Sequence, residues 1–207
     1  MTRIDYYLSV NSPWTYLGSA RLLEQVATHG VAVRAKPTRF ADVFAETGGL
    51  PLPKRSPERQ AYRLMDLKRW RSELGIALVL EPVNFPSDEM PGYRLIIAAQ
   101  IAGLDAVRLS AEIGRSLWEK DRNIGDPEVL RAAALRAGMD ADSIRAAGPD
   151  DDELDAIVAA NAKEAVTRGV FGAPSYVFED GEIMWGQDRL AFVDKKLSRL
   201  SGGATSD

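Results

Sequence analysis

Residues 4 to 37 constrain the fold more tightly than any other stretch. Ile4, Tyr6, Leu8 and Val10 alternate with Asp5, Tyr7, Ser9 and Asn11, the two-residue period of a strand with one buried face. Ser12 then stands where a helix N-cap belongs, and Pro13 fills the first helical position, which tolerates a missing N–H. Leu17, Ala20, Leu22, Leu23 and Val26 supply an apolar stripe at helical spacing, ending near His29-Gly30. Val31, Val33 and Ala35 alternate again before Lys36-Pro37. A helix between two strands returns the chain to the end it left, so the simplest topology is a parallel βαβ unit.

From residue 38 to 165 strand-like alternation is almost absent. Helical windows fall at 56–74, 91–103, 106–119, 126–137 and 150–168, so this segment reads as an α-helical insertion. Ser56-Pro57 and Asp126-Pro127 are cap-plus-proline starts, and Gly75, Gly103 and Gly138 lie where helices end. The connection from Leu78 to Pro91, with Pro82 and Pro86 inside it, is long and irregular, a length that often carries function. Strand character returns at Tyr176–Phe178 and Ile183–Trp185. The intervening Glu179-Asp180-Gly181-Glu182 is a hairpin signal, with positive φ easy at both Asp180 and Gly181. Leu190, Phe192, Val193, Leu197 and Leu200 form the stripe of a last helix. The expected organisation is a discontinuous α/β domain over 1–37 plus 166–201, the insertion over 38–165, and a frayed tail over 202–207.

A chain of 207 residues with 45% hydrophobic content can build one ordinary core. Its net charge of −4 gives no general attraction to nucleic acid or anionic lipid. There is no cysteine, which removes disulfides, thiolate metal ligands and any protein thiol nucleophile. The single histidine, His29, supports neither a metal site nor a serine–histidine pair and fits a helix C-terminal dipole partner. No leader pattern and no apolar run of membrane-spanning length is present, so a cytoplasmic location is the default expectation.

Four features invite a functional reading beside a structural one. Ser12 is either a plain N-cap or a hydroxyl at the carboxyl end of a strand and the positive end of a helix, where an anion is favoured. A nucleophilic serine is disfavoured, since no G-x-S-x-G turn or suitable histidine accompanies it. In GVFGAPSYVF, Pro174 is either a strand's first residue or a cis-proline that turns the backbone of Ala173 toward a peptide-like ligand. In WGQDRL, Asp188 is a good N-cap, or Gln187, Asp188 and first-turn N–H groups clamp an amino acid's ammonium and carboxylate. The run KRSPERQAYRLMDLKRWR reads mainly as a solvated helix face with Glu58, Asp66 and Glu73 interleaved, although Lys54 and Arg55 could reach an anion. Asp150-Asp151-Asp152-Glu153 is assigned to a helix dipole.

Taken together, DYYLSVNSPWTYLG, GGLPLP, RQAYRLMDLKRWR, GVFGAPSYV and WGQDRL resemble the 2-hydroxychromene-2-carboxylate isomerases and the related kappa-class glutathione transferases, in order and over nearly the whole chain. The resemblance implies a thioredoxin-like fold interrupted by a helical insertion, glutathione as cofactor, and a homodimer. It places the glutathione-activating serine on Ser12, the cis-proline on Pro174, the backbone partner of the cysteinyl unit on Ala173, and the γ-glutamyl clamp on Gln187 and Asp188. Many members carry an asparagine in the loop that here reads Gly48-Gly49-Leu50-Pro51-Leu52, so the second-substrate contacts differ. Lys54, Arg55, Asn84 and Trp185 are the candidates for the carboxylate and ring of a small aromatic or bicyclic acid. A cysteine at Ser12 would form a mixed disulfide, whereas a hydroxyl only donates a hydrogen bond that favours the thiolate. The implied activity is glutathione-dependent isomerisation of 2-hydroxychromene-2-carboxylate-type substrates to trans-o-hydroxybenzylidenepyruvate-type products in aromatic catabolism. The alternatives are conjugation of electrophiles by a kappa-like transferase, or a non-catalytic binding module.

Overall fold

Strand β1, Arg3–Leu8, passes through Ser12-Pro13 into helix α1, Pro13–His29, and the chain returns in β2, Ala32–Pro37. The computed structural model describes residues 2–202, so all of the expected C-terminal tail beyond Gly202 lies outside the described residues. β1 and β2 are parallel, with Arg3 opposite Ala32 and Leu8 opposite Pro37. Gly30, at φ 60°, ends α1 by donating its N–H to the Val26 carbonyl, the left-handed closure that glycine accepts without strain.

Two further strands complete a four-stranded sheet in the order β2-β1-β3-β4. β3, Ser175–Phe178, runs antiparallel to β1 with Tyr176 opposite Tyr6, and β4, Ile183–Trp185, runs antiparallel to β3. The hairpin between them differs from expectation. Gly181 takes φ 86° but Asp180 does not have positive φ. Gly181 instead donates to Phe178 and Phe178 to Glu182, both at 3.0 Å, which is a tight turn closed by one left-handed glycine.

Between β2 and β3 run α2 (Phe40–Thr47), α3 (Pro57–Leu74), α4 (Met90–Ile101), α5 (Ala106–Trp118), α6 (Pro127–Arg136), α7 (Ala141–Ala147) and α8 (Asp151–Thr167), with a 3-10 turn at Leu52–Lys54. α2, α7 and the turn are additions to the expected set. Each is at most eight residues long, too short to display a helical period. Asp126 caps α6 with its side chain, while Ser56 precedes α3 without a side-chain cap bond.

β1 is buried on both faces, contrary to the one-faced strand expected from its alternation. α2 and α8 supply the second cover: Tyr7 packs with Phe40, Val43, Ala162, Ala165, Val170 and Val177. Asp5 is tolerated inside because Arg34 binds it through two nitrogens at 2.8 and 3.1 Å and Arg168 adds a further ion pair. On the other face Ile4, Tyr6, Leu8 and Tyr176 join one continuous core with Leu17, Leu22, Leu95, Leu109 and Leu154. The closing helix α9, Leu190–Gly202, buries Leu190, Val193 and Leu197 but leaves Phe192 and Leu200 exposed. Those two lie two and ten residues from Leu190, on the far side of a helix. Ala20, expected in the buried stripe of α1, is likewise exposed.

Candidate active site

The β1–α1 junction and the start of β3 meet at Ser12. Its Oγ accepts from the Thr15 N–H at 3.3 Å, so the hydroxyl is an N-cap as expected. The hydroxyl proton points to the Ala173 carbonyl at 3.5 Å. That distance is the outer limit for a hydrogen bond, and a better acceptor would replace it at little cost. The Ala173-Pro174 bond is cis. Among the described residues nothing accepts from the Ala173 N–H, and the Trp14 N–H in the first turn of α1 is also free. One exchangeable hydroxyl, an open strand-entry donor and the positive end of a 17-residue helix therefore converge.

A second group is tied to the same place by the Gly186 N–H, which donates to the Pro174 carbonyl at 2.9 Å. Gly186 has φ 99°, a conformation that L side chains rarely adopt. Gln187–Arg189 then form a 3-10 turn leading into α9. Gln187 is 2% exposed and is held by α1: the Arg21 guanidinium donates to its main-chain carbonyl at 3.0 Å and to its side-chain oxygen. Asp188 is not the cap expected from its position. It lies inside the turn, partly open to solvent, and pairs with Arg189 at 2.9 Å. Gly18 makes this docking possible, since a Cβ there would sit 3.0 Å from Gln187 Cβ and 3.1 Å from the Tyr176 hydroxyl.

Sequence reasoning missed the groups that hold Ser12 in place. Glu89 Oε1 accepts from the Asn11 N–H at 2.9 Å, from the Tyr93 hydroxyl at 2.7 Å and from the Ser9 hydroxyl. Asn11 exchanges two hydrogen bonds with the Ser87 backbone, at 2.8 and 3.1 Å. The irregular connection between α3 and α4 is thereby fastened beside Ser12. Only its length and prolines signalled this.

The expected substrate residues are more scattered. Lys54 is exposed. Arg55 donates to the Leu50 carbonyl at 2.8 Å, and burial together with the neighbouring Arg59 cation lowers its pKa. Asn84 commits its side-chain amide to Asp121, at 2.6 Å to the carbonyl and 3.1 Å to the carboxylate. Trp185 stands on the edge strand against Phe171, ring centroids 4.7 Å apart, and directly over Gly172. It thus buttresses the approach to Ala173. Of the nine expected residues, Ser12, Ala173, Pro174, Gln187 and Asp188 are joined by the contacts above, and Trp185 is their neighbour through Gly172.

Comparison with known proteins agrees with this arrangement. A family model described as DSBA-like thioredoxin domain matches residues 3–198. The 2-hydroxychromene-2-carboxylate isomerase of Sphingobium xenophagum is 26% identical over 201 residues, covering 94% of this chain and 97% of that protein. Glutathione S-transferase kappa 1 of Homo sapiens is 25% identical over 211 residues, covering 92% of this chain and 88% of its own. Among solved structures, a 2-hydroxychromene-2-carboxylate isomerase superposes with a TM-score of 0.75 at 22% identity, over 99% of this chain and 100% of that one.

Proposed function

This chain belongs to the DSBA-like thioredoxin domain family, and from that premise we propose that it is a glutathione-dependent isomerase of 2-hydroxychromene-2-carboxylate-type acids. Glutathione is a γ-glutamyl-cysteinyl-glycine, and the free groups suit it. The open Ala173 N–H matches a peptide carbonyl, Asp188 suits an ammonium, and Ser12 with the α1 N-terminus suits a sulfur anion. Bound glutathione would supply a thiolate that adds to the cyclic substrate, permits rotation about a former double bond after ring opening, and leaves again with the trans product.

The single observation that carries the proposal is the Ser12 hydroxyl, 3.5 Å from the Ala173 carbonyl at the head of α1. Turned from that carbonyl, it donates to a sulfur and favours the ionised form without leaving its cap position. Its oxygen keeps the Thr15 N–H, so the helix start stays ordered while the proton changes partner. With no cysteine in the chain, a protein–glutathione mixed disulfide cannot compete.

The similarity to a kappa transferase favours a second reading, in which an electrophile keeps the glutathione. Stoichiometry separates the two. Isomerisation needs only catalytic glutathione and returns it, whereas one glutathione consumed per turnover, or a stable conjugate, refutes the isomerase in favour of the transferase. A non-catalytic module is indicated if glutathione gives no thermal shift and Ser12→Ala leaves any turnover unchanged. A homodimer and a cytoplasmic setting belong to the same proposal.

A further inference from the structure

α3 carries Arg63, Leu67, Trp70 and Leu74 at spacings that share one helix face. Leu67 is fully buried, and Trp70 and Leu74 pack against the main core. An apolar residue is the default at the first of these positions. Arg63 instead turns its guanidinium inward, 5.5 Å from the ring centre of Phe85 and 5.9 Å from that of Trp118. Those two rings are 5.1 Å apart. The charged run around Arg63 reads in sequence as a solvated face, and Arg69 does pair with Asp66 at 3.7 Å. Arg63 does not follow that pattern.

Among the described residues Arg63 has no ion pair, and no group accepts a hydrogen bond from it. The acids nearby are committed elsewhere. Asp121 accepts from the Val83 and Asn84 N–H groups, both at 2.9 Å. Glu119 is held by Arg115 at 2.7 Å and Lys120 at 2.6 Å. Burial, and after it the Arg55 cation, pull the Arg63 pKa down to about 10. The Trp118 indole N–H is buried with no partner. A half-buried cation facing another cation costs stability unless something else balances it.

The surroundings indicate what that partner is. A guanidinium fork suits a carboxylate, and two tilted rings suit a flat apolar body. Phe85 lies two residues from Ser87, which is bonded to Asn11 beside Ser12. Two residues span at most about 7 Å of chain. An acid held at Arg63 would therefore be within a small molecule's length of the Ser12 junction.

We propose that Arg63, supported by Arg55, receives the carboxylate of a flat aromatic substrate at the Phe85–Trp118 wall. This assigns specificity to a residue outside the expected set of Lys54, Arg55, Asn84 and Trp185, and it rests on the glutathione-dependent reading only in taking the acid as the second substrate of that site. The alternative source of the same chemistry, the glycyl carboxylate of glutathione, lacks the ring that Phe85 and Trp118 would cover.

Calorimetric titration of the full chain with benzoate, benzamide and glutathione tests the assignment. Benzoate should bind the wild type at least about tenfold more tightly than the neutral benzamide. Arg63→Met should erase that preference while changing glutathione affinity by no more than about twofold, and Arg63→Lys should restore part of it. Arg63→Met should also melt at or above the wild-type temperature, because an unbalanced cation is replaced by an apolar chain of similar reach. Equal binding of benzoate and benzamide, an unchanged preference in Arg63→Met, or a clear drop in its melting temperature would each overturn the assignment. So would a selective loss of glutathione affinity, which would give Arg63 to the glycyl carboxylate. Failure of the wild type to bind glutathione would sink the proposed function while leaving a benzoate preference standing.

Discussion

Replacing Glu89 by alanine should damage both stability and the site, because one carboxylate oxygen organises the segment leading to Ser12. Glu89 Oε1 serves the Asn11 N–H at 2.9 Å, the Tyr93 hydroxyl at 2.7 Å and the Ser9 hydroxyl. Tyr93 retains a second acceptor in the Thr38 carbonyl at 3.1 Å, so its hydroxyl is not stranded. The Asn11 N–H and the largely buried Ser9 hydroxyl lose the only acceptor the structure gives them. Two charge-assisted bonds at about 1.5–3 kcal/mol each set the upper range, and partial access of water to a half-buried carboxylate lowers the expected loss to about 2–4 kcal/mol. Urea denaturation measures this directly. Glu89→Gln keeps an oxygen in place and should lose about half as much. Glutathione titration of the two variants should weaken in the same order, since Asn11 adjoins Ser12. A Glu89→Ala midpoint equal to wild type with an unchanged slope would refute the reasoning.

Three other outcomes follow from the packing and the charges. Gly18→Ala puts a Cβ 3.0 Å from Gln187 Cβ and should cost about 1 kcal/mol or more by overpacking, with weaker glutathione binding in the same titration because the Gln187–Arg189 turn must shift. Asp5→Asn leaves Arg34 and Arg168 facing an uncharged partner and should destabilise by about 2–3 kcal/mol in urea, less than a fully buried pair because both arginines reach solvent. Stability should fall on acidification: the Arg115 hydrogen bond holds the Glu119 carboxyl down to about 2, and Asp5 also stays below its ordinary value because its arginine partners outweigh the effect of burial. A depressed carboxyl contributes stability above its unfolded pKa and loses it as pH falls through the folded one. Melting curves recorded from pH about 4.5 down to about 2 should therefore decline, and decline less in Glu119→Gln.

The parts of the molecule visible in its sequence are those governed by local rules. β1, α1 and β2 follow from two periods and a Ser-Pro junction, and helix ends at Gly30, Gly75, Gly103 and Gly138 coincide with positive φ. The two-sided burial of β1 was hidden because it depends on α2 and α8, one too short for a period and the other more than 140 residues away from β1 in sequence. Ser12, Ala173 and Pro174 could be found because caps and strand-entry prolines have local signatures. The engagement of Gln187 by Arg21 and of Asn11 by Glu89 spans 166 and 78 residues, distances over which no pattern of spacing operates. Arg63 is the sharpest case: its charge suggested solvent, and only the tertiary contact with Phe85 and Trp118 assigns it an interior direction.

The central claim is that Ser12 lowers the pKa of a bound glutathione thiol. Ultraviolet titration of thiolate absorbance in the protein–glutathione complex measures it most directly, in wild type and in Ser12→Ala at saturating protein. A free cysteine thiol titrates near about 8.5. The account predicts a bound thiol well below that value in wild type and a return toward it in Ser12→Ala, with the variant still folded after losing about 1 kcal/mol of N-cap stability. A bound thiol that titrates as in free solution, or one that is equally acidic in both proteins, would contradict it.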